Sequence, residues 1–512
     1  AQGGVTGVIK DDKGMPLVGA TVLIKGTTTG AAADVDGNFS LPQAKPGDTL
    51  EISLIGYTRQ ELPVSGSAPL SVVMHEDNEV LDAVVVTALG IKRSEKALTY
   101  NVQEVAGDIV NTVKDANFMN SLSGKVAGLQ INASASGVGG STRVVMRGVK
   151  SISGNNNALY VIDGIPMPDL RSSQTEGTYE TPDGGDFEGI SNLNPEDIES
   201  MTVLSGATAA ALYGSQGANG VIVITTKKGE EGRVRVNYAN NTTFSSPFVM
   251  PQFQNTYGTD ATAPSMSWGT KLSTPTSYDP SDFFQTGFEE TNAISVSGGT
   301  RVNQTYFSAA AVNSRGIVPN NGYDRYNFTF RNTTSFLNDK LKLDVGASYV
   351  MQKDRNMTNQ GTYNNPLVGA YVYPRGNDWA DIEMYERYDP ARRLYTQYWP
   401  VGDAGMTMQN PYWINYRNLR ENNKDRYMLS AALSYDVLDW LNVSGRIRVD
   451  NSSNDYTEKF YASTFTQLTE GSKNGLYGIT KTKDKQVYGD VLVNINKTFG
   501  ENWSLQANAG AS

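Results

Sequence analysis

Hydrophobic and polar positions alternate along most of this chain, at two different strand lengths. Up to residue 76 the alternating stretches are short. Val5–Lys10, Ala20–Ile24, Phe39–Leu41, Thr49–Ile55 and Leu70–Met74 read as strands, and Asp11–Gly14, Gly26–Gly30 and Asp36–Asn38 read as turns. Strands punctuated this regularly predict a β-sandwich over residues 1–76. Residues 77–100 read as a linker in which an acidic patch, Glu76-Asp77-Asn78-Glu79, leads into the apolar run Val80–Leu89. That run is either one more buried strand or an exposed strand that can join a partner's sheet edge. Residues 101–229 mix short strands with helical segments. A helix is expected over Ala116–Leu122, strands over Thr142–Gly148 and Ala158–Gly164, and a short helix from Pro195 with Asn194 as its cap. An Ala-rich helix follows over Ala207–Tyr213, ended by Gly214, and then a continuous apolar strand over Val221–Thr226.

From residue 230 the strands lengthen. Tyr326, Phe328 and Phe330 share one face while Asn327, Thr329 and Arg331 share the other, and Leu341–Tyr349, Leu429–Val437, Leu441–Val449 and Val487–Ile495 alternate in the same way. These runs reach about ten residues or more, the length that crosses a bilayer when tilted, whereas soluble strands are about five or six. The turns Leu337–Lys340 and Leu438–Trp440 are short, and the connection over residues 353–424 is long. Short turns on one side and long loops on the other are the pattern of a transmembrane β-barrel.

Composition narrows the classes. A chain of 512 residues is too long for one core. With no Cys, it has no disulfide, thiolate site or Cys nucleophile. With one His, His75, it has no multi-His metal site. The net charge of −10 excludes a basic nucleic-acid-binding field. No serine elbow accompanies His75, so no catalytic set, cofactor or metal is expected. The sequence contains no run of 18 apolar residues, which excludes a helical span but leaves a barrel open. No leader precedes Ala1, read as a signal peptide already removed, and alternation still runs at Ser512, read as a barrel that continues beyond it.

Two candidate sets of side chains follow. Arg143, Arg147 and Asp163 in the α/β region are either paired charges buried against a barrel wall or solvated residues. The long connection holds Trp379, Tyr385, Tyr388, Tyr395, Tyr398, Trp399 and Trp413. Aromatic rings there suit a bound oligomer, a protein lid or a membrane girdle.

The motifs carry a family resemblance. Gly7-Val8-Ile9, Gly19-Ala20-Thr21-Val22, Gly26–Gly30 and Asp36-Gly37-Asn38-Phe39 resemble a carboxypeptidase-regulatory-like domain. Leu81-Asp82-Ala83-Val84-Val85-Val86-Thr87 resembles a TonB box. Met146-Arg147-Gly148 with Ala158–Pro166, and Asn194–Ser200 with Ala209–Gly214 and Asn219–Gly229, resemble the plug motifs of SusC-type (SusC/RagA-type) TonB-dependent outer-membrane transporters of Bacteroidetes. The resemblance implies a mostly β protein with an N-terminal β-sandwich, an α/β plug and the first part of a large antiparallel transmembrane barrel of about 22 strands. About ten of those strands are countable over residues 230–512, so the barrel is expected to be incomplete here. It implies no enzyme activity. It implies TonB-dependent import of oligomeric nutrients across the cell outer membrane, with oligosaccharides the first reading and oligopeptides or a non-transporting adhesin the alternatives. The implied partners are TonB in the periplasm beside the N-terminal domain, a SusD-like lipoprotein, outer-membrane lipid, and a second transporter–lipoprotein pair.

Overall fold

The computed structural model describes all residues except 1–3, 12–13, 26, 28, 55–56, 65–68, 75–83, 87–91, 95–101, 112–114, 134–135, 141, 152–155, 168–188, 205, 360, 403–407 and 501–502. His75 and Leu81, Asp82, Ala83 and Thr87 of the TonB-box motif therefore lie outside the described residues. Of the remaining motif residues, Val84–Val86 form a short strand in a two-stranded sheet with Lys92–Ser94. By compactness the chain divides into Ala1–Val85 with Arg93–Leu98, and Val86–Lys92 with Thr99–Ser512.

The first unit is built from two sheets. In one, Val5–Asp11 lies between Asn38–Leu41, antiparallel, and Leu70–Met74, parallel. The other orders Gly30–Ala32, Thr21–Ile24, Thr49–Leu54 and Tyr57–Pro63. Alternation places Val5, Ile9, Val22, Phe39, Leu41, Leu50, Ile52, Val72 and Met74 in one core. Gly7 sits where a Cβ would fall 2.4 Å from the Leu70 carbonyl oxygen and 2.6 Å from the Phe39 ring, so no other residue fits without displacing a strand. Asp34 closes the turn expected of it: its carboxylate accepts from the backbone N–H of Asp36 (3.0 Å) and Asn38 (2.8 Å).

The second unit opens with a five-stranded sheet ordered Val102–Ala106, Ile198–Leu204, Val221–Thr226, Leu159–Ile162 and Ile165–Pro166. The apolar run Val221–Ile224 is buried at its centre. Phe118, Met119, Leu122, Ile198, Met201, Ile222 and Ile224 pack around it. The segment expected as a helix over Ala116–Leu122 is a single 3-10 turn, Phe118–Leu122, and the Asn117 side chain caps it by accepting from the Met119 N–H. Asn194 caps a second such turn, Pro195–Asp197, by accepting from the Glu196 N–H.

Nine long strands then form one antiparallel sheet in strict chain order. They are Gly232–Ser245, Gly287–Gly299, Asn303–Arg315, Gly322–Phe336, Leu341–Arg355, Asn418–Leu438, Leu441–Phe460, Leu476–Phe499 and Trp503–Ala511. We call them wall strands one to nine. The expectation was about ten. The short hairpin Glu386–Asp389 with Leu394–Gln397 belongs to a loop and forms its own sheet. Wall strands one and nine pair on one side only, so the described wall is an open arc.

Parity fixes the two faces of the wall. Tyr326, Phe328 and Phe330 are 38–43% exposed on the outside, while Asn327 between them is 3% exposed on the inside. An apolar outer and a polar inner face suit a wall between lipid and a filled lumen. No helix among the described residues is long and apolar enough to cross a membrane, which says nothing of crossing by strands.

Candidate functional site

The inner face of the wall meets the α/β region in a polar seam. Asp163 and Gly164 form the two-residue turn between Leu159–Ile162 and Ile165–Pro166, both with positive φ (50° and 81°), the geometry that Asp-Gly favours in a tight hairpin. The turn presents the Asp163 carboxylate to the end of the buried central strand, where it accepts from the Thr226 N–H (3.0 Å) and hydroxyl (2.7 Å). Arg331 of the fourth wall strand donates to the same carboxylate at 3.0 Å. Its other guanidinium nitrogens fork onto Asp344 of the fifth strand, both at 2.8 Å. Lys228 closes the group on Asp344 at 2.9 Å. Arg446 of the seventh strand, held by Asp490, donates to the Asp163 carbonyl at 3.2 Å, and Arg448 donates to the Pro166 carbonyl at 2.7 Å.

A second contact forms at Asp197, 1% exposed at the end of its 3-10 turn. Its carboxylate accepts from Tyr306 of the third strand (2.9 Å) and Thr329 of the fourth (2.7 Å). Burial pushes its pKa above the ordinary carboxylate range, and the wall hydroxyls pull it back in part.

Higher on the seam, Arg325 donates to the carbonyls of Ala116 (2.8 Å) and Ser191, and Asn327 to that of Asn192 (2.6 Å). Beside them Arg426 and Asp450 form a buried fork at 2.9 and 2.6 Å. A cavity of about 100 Å³ lies in the seam among Asp163, Asp197, Lys227, Arg331 and Arg448. The seam joins charged and polar groups of the α/β region and the wall by hydrogen bonds, and it holds the turn of one against the strands of the other. Among the described residues no group of acids and His could hold a metal ion.

The three charges singled out from the sequence separate. Asp163 is in the seam. Arg143 and Arg147 are exposed and make no ion pair among the described residues. What the sequence reading missed is the wall side of the seam: Arg325, Tyr306, Asp344, Arg426, Arg446 and Arg448. Their signal was present, since each falls on the inward parity of an alternating strand, where a charge needs a partner.

The loop aromatics also separate. Trp379 is 8% exposed, stacked on Tyr278 at 4.1 Å, and Trp413 is fully buried with its Nε1 donating to the Thr464 hydroxyl at 3.0 Å. Trp379 belongs to the core of a folded loop layer with Phe283, Tyr373 and Ile382, and Trp413 is buried on the loop helix Pro411–Arg417, which corrects the expectation that they face a ligand or lid. Aromatic residues without regular spacing cannot be assigned a side from sequence, and here two supply a core. Tyr385 stacks on Tyr416 at 5.6 Å, Tyr398 lies under Arg387, and the Trp399 Nε1 donates to the Gly402 carbonyl. Tyr388 and Tyr395 are the exposed pair, 55% and 59%, directly opposite one another on the loop hairpin.

Comparison with known proteins matches this geometry. Residues 5–86 match the CarboxypepD_reg-like domain and residues 94–221 the TonB-dependent receptor plug domain. The chain is 30% identical over 520 residues to the TonB-dependent receptor SusC of Bacteroides thetaiotaomicron, covering 97% of this chain and 49% of that protein. This chain is SusC-like. It is also 26% identical to the TonB-dependent receptor P39 of Formosa agariphila, over 96% of this chain and 47% of that one. The SusC-like chain spans about half the length of the curated relatives it matches. Among solved structures, the RagAB peptide importer in its open-open state is similar, with a TM-score of 0.63 and 18% identity over 83% of this chain and 48% of that one. That likeness concerns the fold alone.

Proposed function

We propose that the SusC-like chain is the N-terminal part of an outer-membrane importer for oligomeric nutrients, energised by TonB. In this reading residues 1–76 are a periplasmic domain, 77–100 a linker carrying the TonB box Leu81–Thr87, 101–229 the plug and 230–512 the first part of the barrel. The observation that carries it is the seam: a plug-type domain held against the polar inner face of a wall whose outer face is apolar. TonB adds a strand to the box, main-chain hydrogen bonds supply the grip, and the pull opens the seam. No catalytic chemistry is required, because the work arrives as force.

The cargo is an oligosaccharide, delivered with a SusD-like lipoprotein above the loops, and two such pairs assemble together. Tyr388 and Tyr395 support this part, as exposed rings on a hairpin beside a folded loop layer, available to a sugar face or to the lipoprotein. The test is to purify the full-length receptor with its lipoprotein and identify what stays bound by mass spectrometry. Bound oligosaccharides support the reading. Bound oligopeptides alone overturn the cargo assignment.

A further inference from the structure

One row on the inner face of the wall leaves a hollow against the plug-type domain. Arg331, Gly346, Ser430 and Arg448 stand directly opposite one another on wall strands four to seven. Two arginines therefore flank two of the smallest residues, with about 14 Å between their backbones across three ladder steps. A Cβ on Gly346 would fall 2.7 Å from the Ser430 Oγ, so only glycine leaves that hydroxyl its place. The seam cavity of about 100 Å³ lies over this row, lined by Gly346, Ser430 and Arg448 of the wall and by Lys227 of the plug-type domain.

The hollow belongs to strands whose pairing is complete. Over these residues each of the four strands is hydrogen-bonded to a neighbour on both sides. Arg448 is 5% exposed, so its surroundings are already closed.

The charges around the hollow leave one cation over. Arg331 is paired with Asp163, Lys228 with Asp344, Arg426 with Asp450 and Arg446 with Asp490. Lys227 acts electrostatically on Asp197. Arg448 has no carboxylate within ion-pair distance among the described residues. Its guanidinium donates to the Pro166 carbonyl at 2.7 Å and to the Gln486 side-chain oxygen at 3.4 Å, and its Nε has no partner among them. Carbonyl and amide oxygens offer partial charges, and a buried cation without a full counter-charge is costly. The nearby carboxylates are committed elsewhere, Asp163 to Thr226 and Arg331, and Asp197 to Tyr306 and Thr329.

We propose that this hollow binds one monovalent inorganic anion of the halide class, held by Arg448 and the Ser430 hydroxyl of the wall and by Lys227 of the plug-type domain, and that the anion fastens the two together. A single unpaired cation selects a single negative charge. The small cavity and the apolar side chains that share its lining, Ile165, Phe330 and Met428, select a weakly hydrated ion over a multiply charged oxyanion, whose desolvation costs more. An ion that needs residues of both parts binds only while they are packed together, so it opposes their separation. The inference requires the packing of the plug-type domain on the wall, and neither TonB nor a particular cargo.

The test uses crystals of the full-length receptor grown with sodium bromide as the halide, and hydrogen exchange of the Thr226 amide, whose bond to Asp163 breaks when the seam opens. Exchange is compared in bromide and in gluconate, an anion too large for the hollow, at equal ionic strength. We expect an anomalous bromide peak between Arg448 and Lys227, and exchange about tenfold slower once bromide is roughly ten times its Kd. Arg448→Gln should abolish both effects, and Arg448→Lys should keep the slowing. Gly346→Val fills the hollow and leaves every charge in place. It should also abolish both effects, and it decides the matter if Arg448→Gln does not fold. A hollow that holds only water, or equal exchange in the two salts, overturns the inference. An adventitious ion only, seen as a peak that survives both Arg448→Gln and Gly346→Val, overturns it as well.

Discussion

At the scale of the residue, the seam is held by groups that each satisfy several partners. Arg331 is the clearest case, because one guanidinium serves Asp163 of the plug-type domain and Asp344 of the wall. Replacing it with Ala leaves Asp163 without its cation and Asp344 with Lys228 alone. We expect Arg331→Ala to weaken the seam by about 3 kcal/mol, read as faster hydrogen exchange at the Thr226 amide in the full-length receptor, while exchange in the N-terminal domain stays unchanged. Asp34 gives a pH-dependent expectation. Its carboxyl is held below the ordinary range chiefly by the Asn38 N–H. The stability it contributes is complete above the unfolded carboxylate value of about 4 and is lost as pH falls through the lower folded value. Thermal melts of the N-terminal domain should therefore show an acid-side decline that Asp34→Ala flattens. At this scale the sequence was legible where local rules decide, as for the Asn117 and Asn194 caps and the Asp34 turn. It was not legible where a partner distant along the chain decides: nothing near Asp163 announces Arg331, and nothing near Trp413 announces Thr464.

At the scale of the element, strand period carried the fold. Alternation over Leu341–Tyr349 and Leu429–Val437 belongs to strands paired residue by residue across the wall. The continuous apolar run Val221–Ile224 became a central strand because both its faces are covered. Length was less legible. Wall strands run up to 24 residues, past the end of their apolar alternation, because ladder pairing continues through polar sequence such as Thr480–Gln486. The loop layer was the least legible, since its aromatics follow no period. Its core gives a prediction that separates the two kinds of aromatic. Trp413→Ala should destabilise the loop layer by about 3–5 kcal/mol and leave residues 357–417 open to proteolysis. Tyr388→Ala with Tyr395→Ala should leave proteolysis unchanged and lower binding of the oligosaccharide or the lipoprotein.

At the scale of the whole molecule, the order of parts is the argument. A compact β unit comes first, then the segment that resembles a TonB box, then a plug-type domain whose turns are fastened to the inside of a nine-stranded wall. The first unit has its own core and both its sheets, so residues 1–76 should fold when expressed alone. A cooperative melt with a β-type circular dichroism spectrum checks this, and a coil spectrum contradicts it. The central claim is that force applied through Leu81–Thr87 drives import, and its most direct measurement is uptake of labelled oligosaccharide by cells carrying the full-length receptor with that segment deleted. The account predicts uptake at background, with surface expression and binding of the same oligosaccharide at wild-type levels. Wild-type uptake by the deletion variant would contradict it.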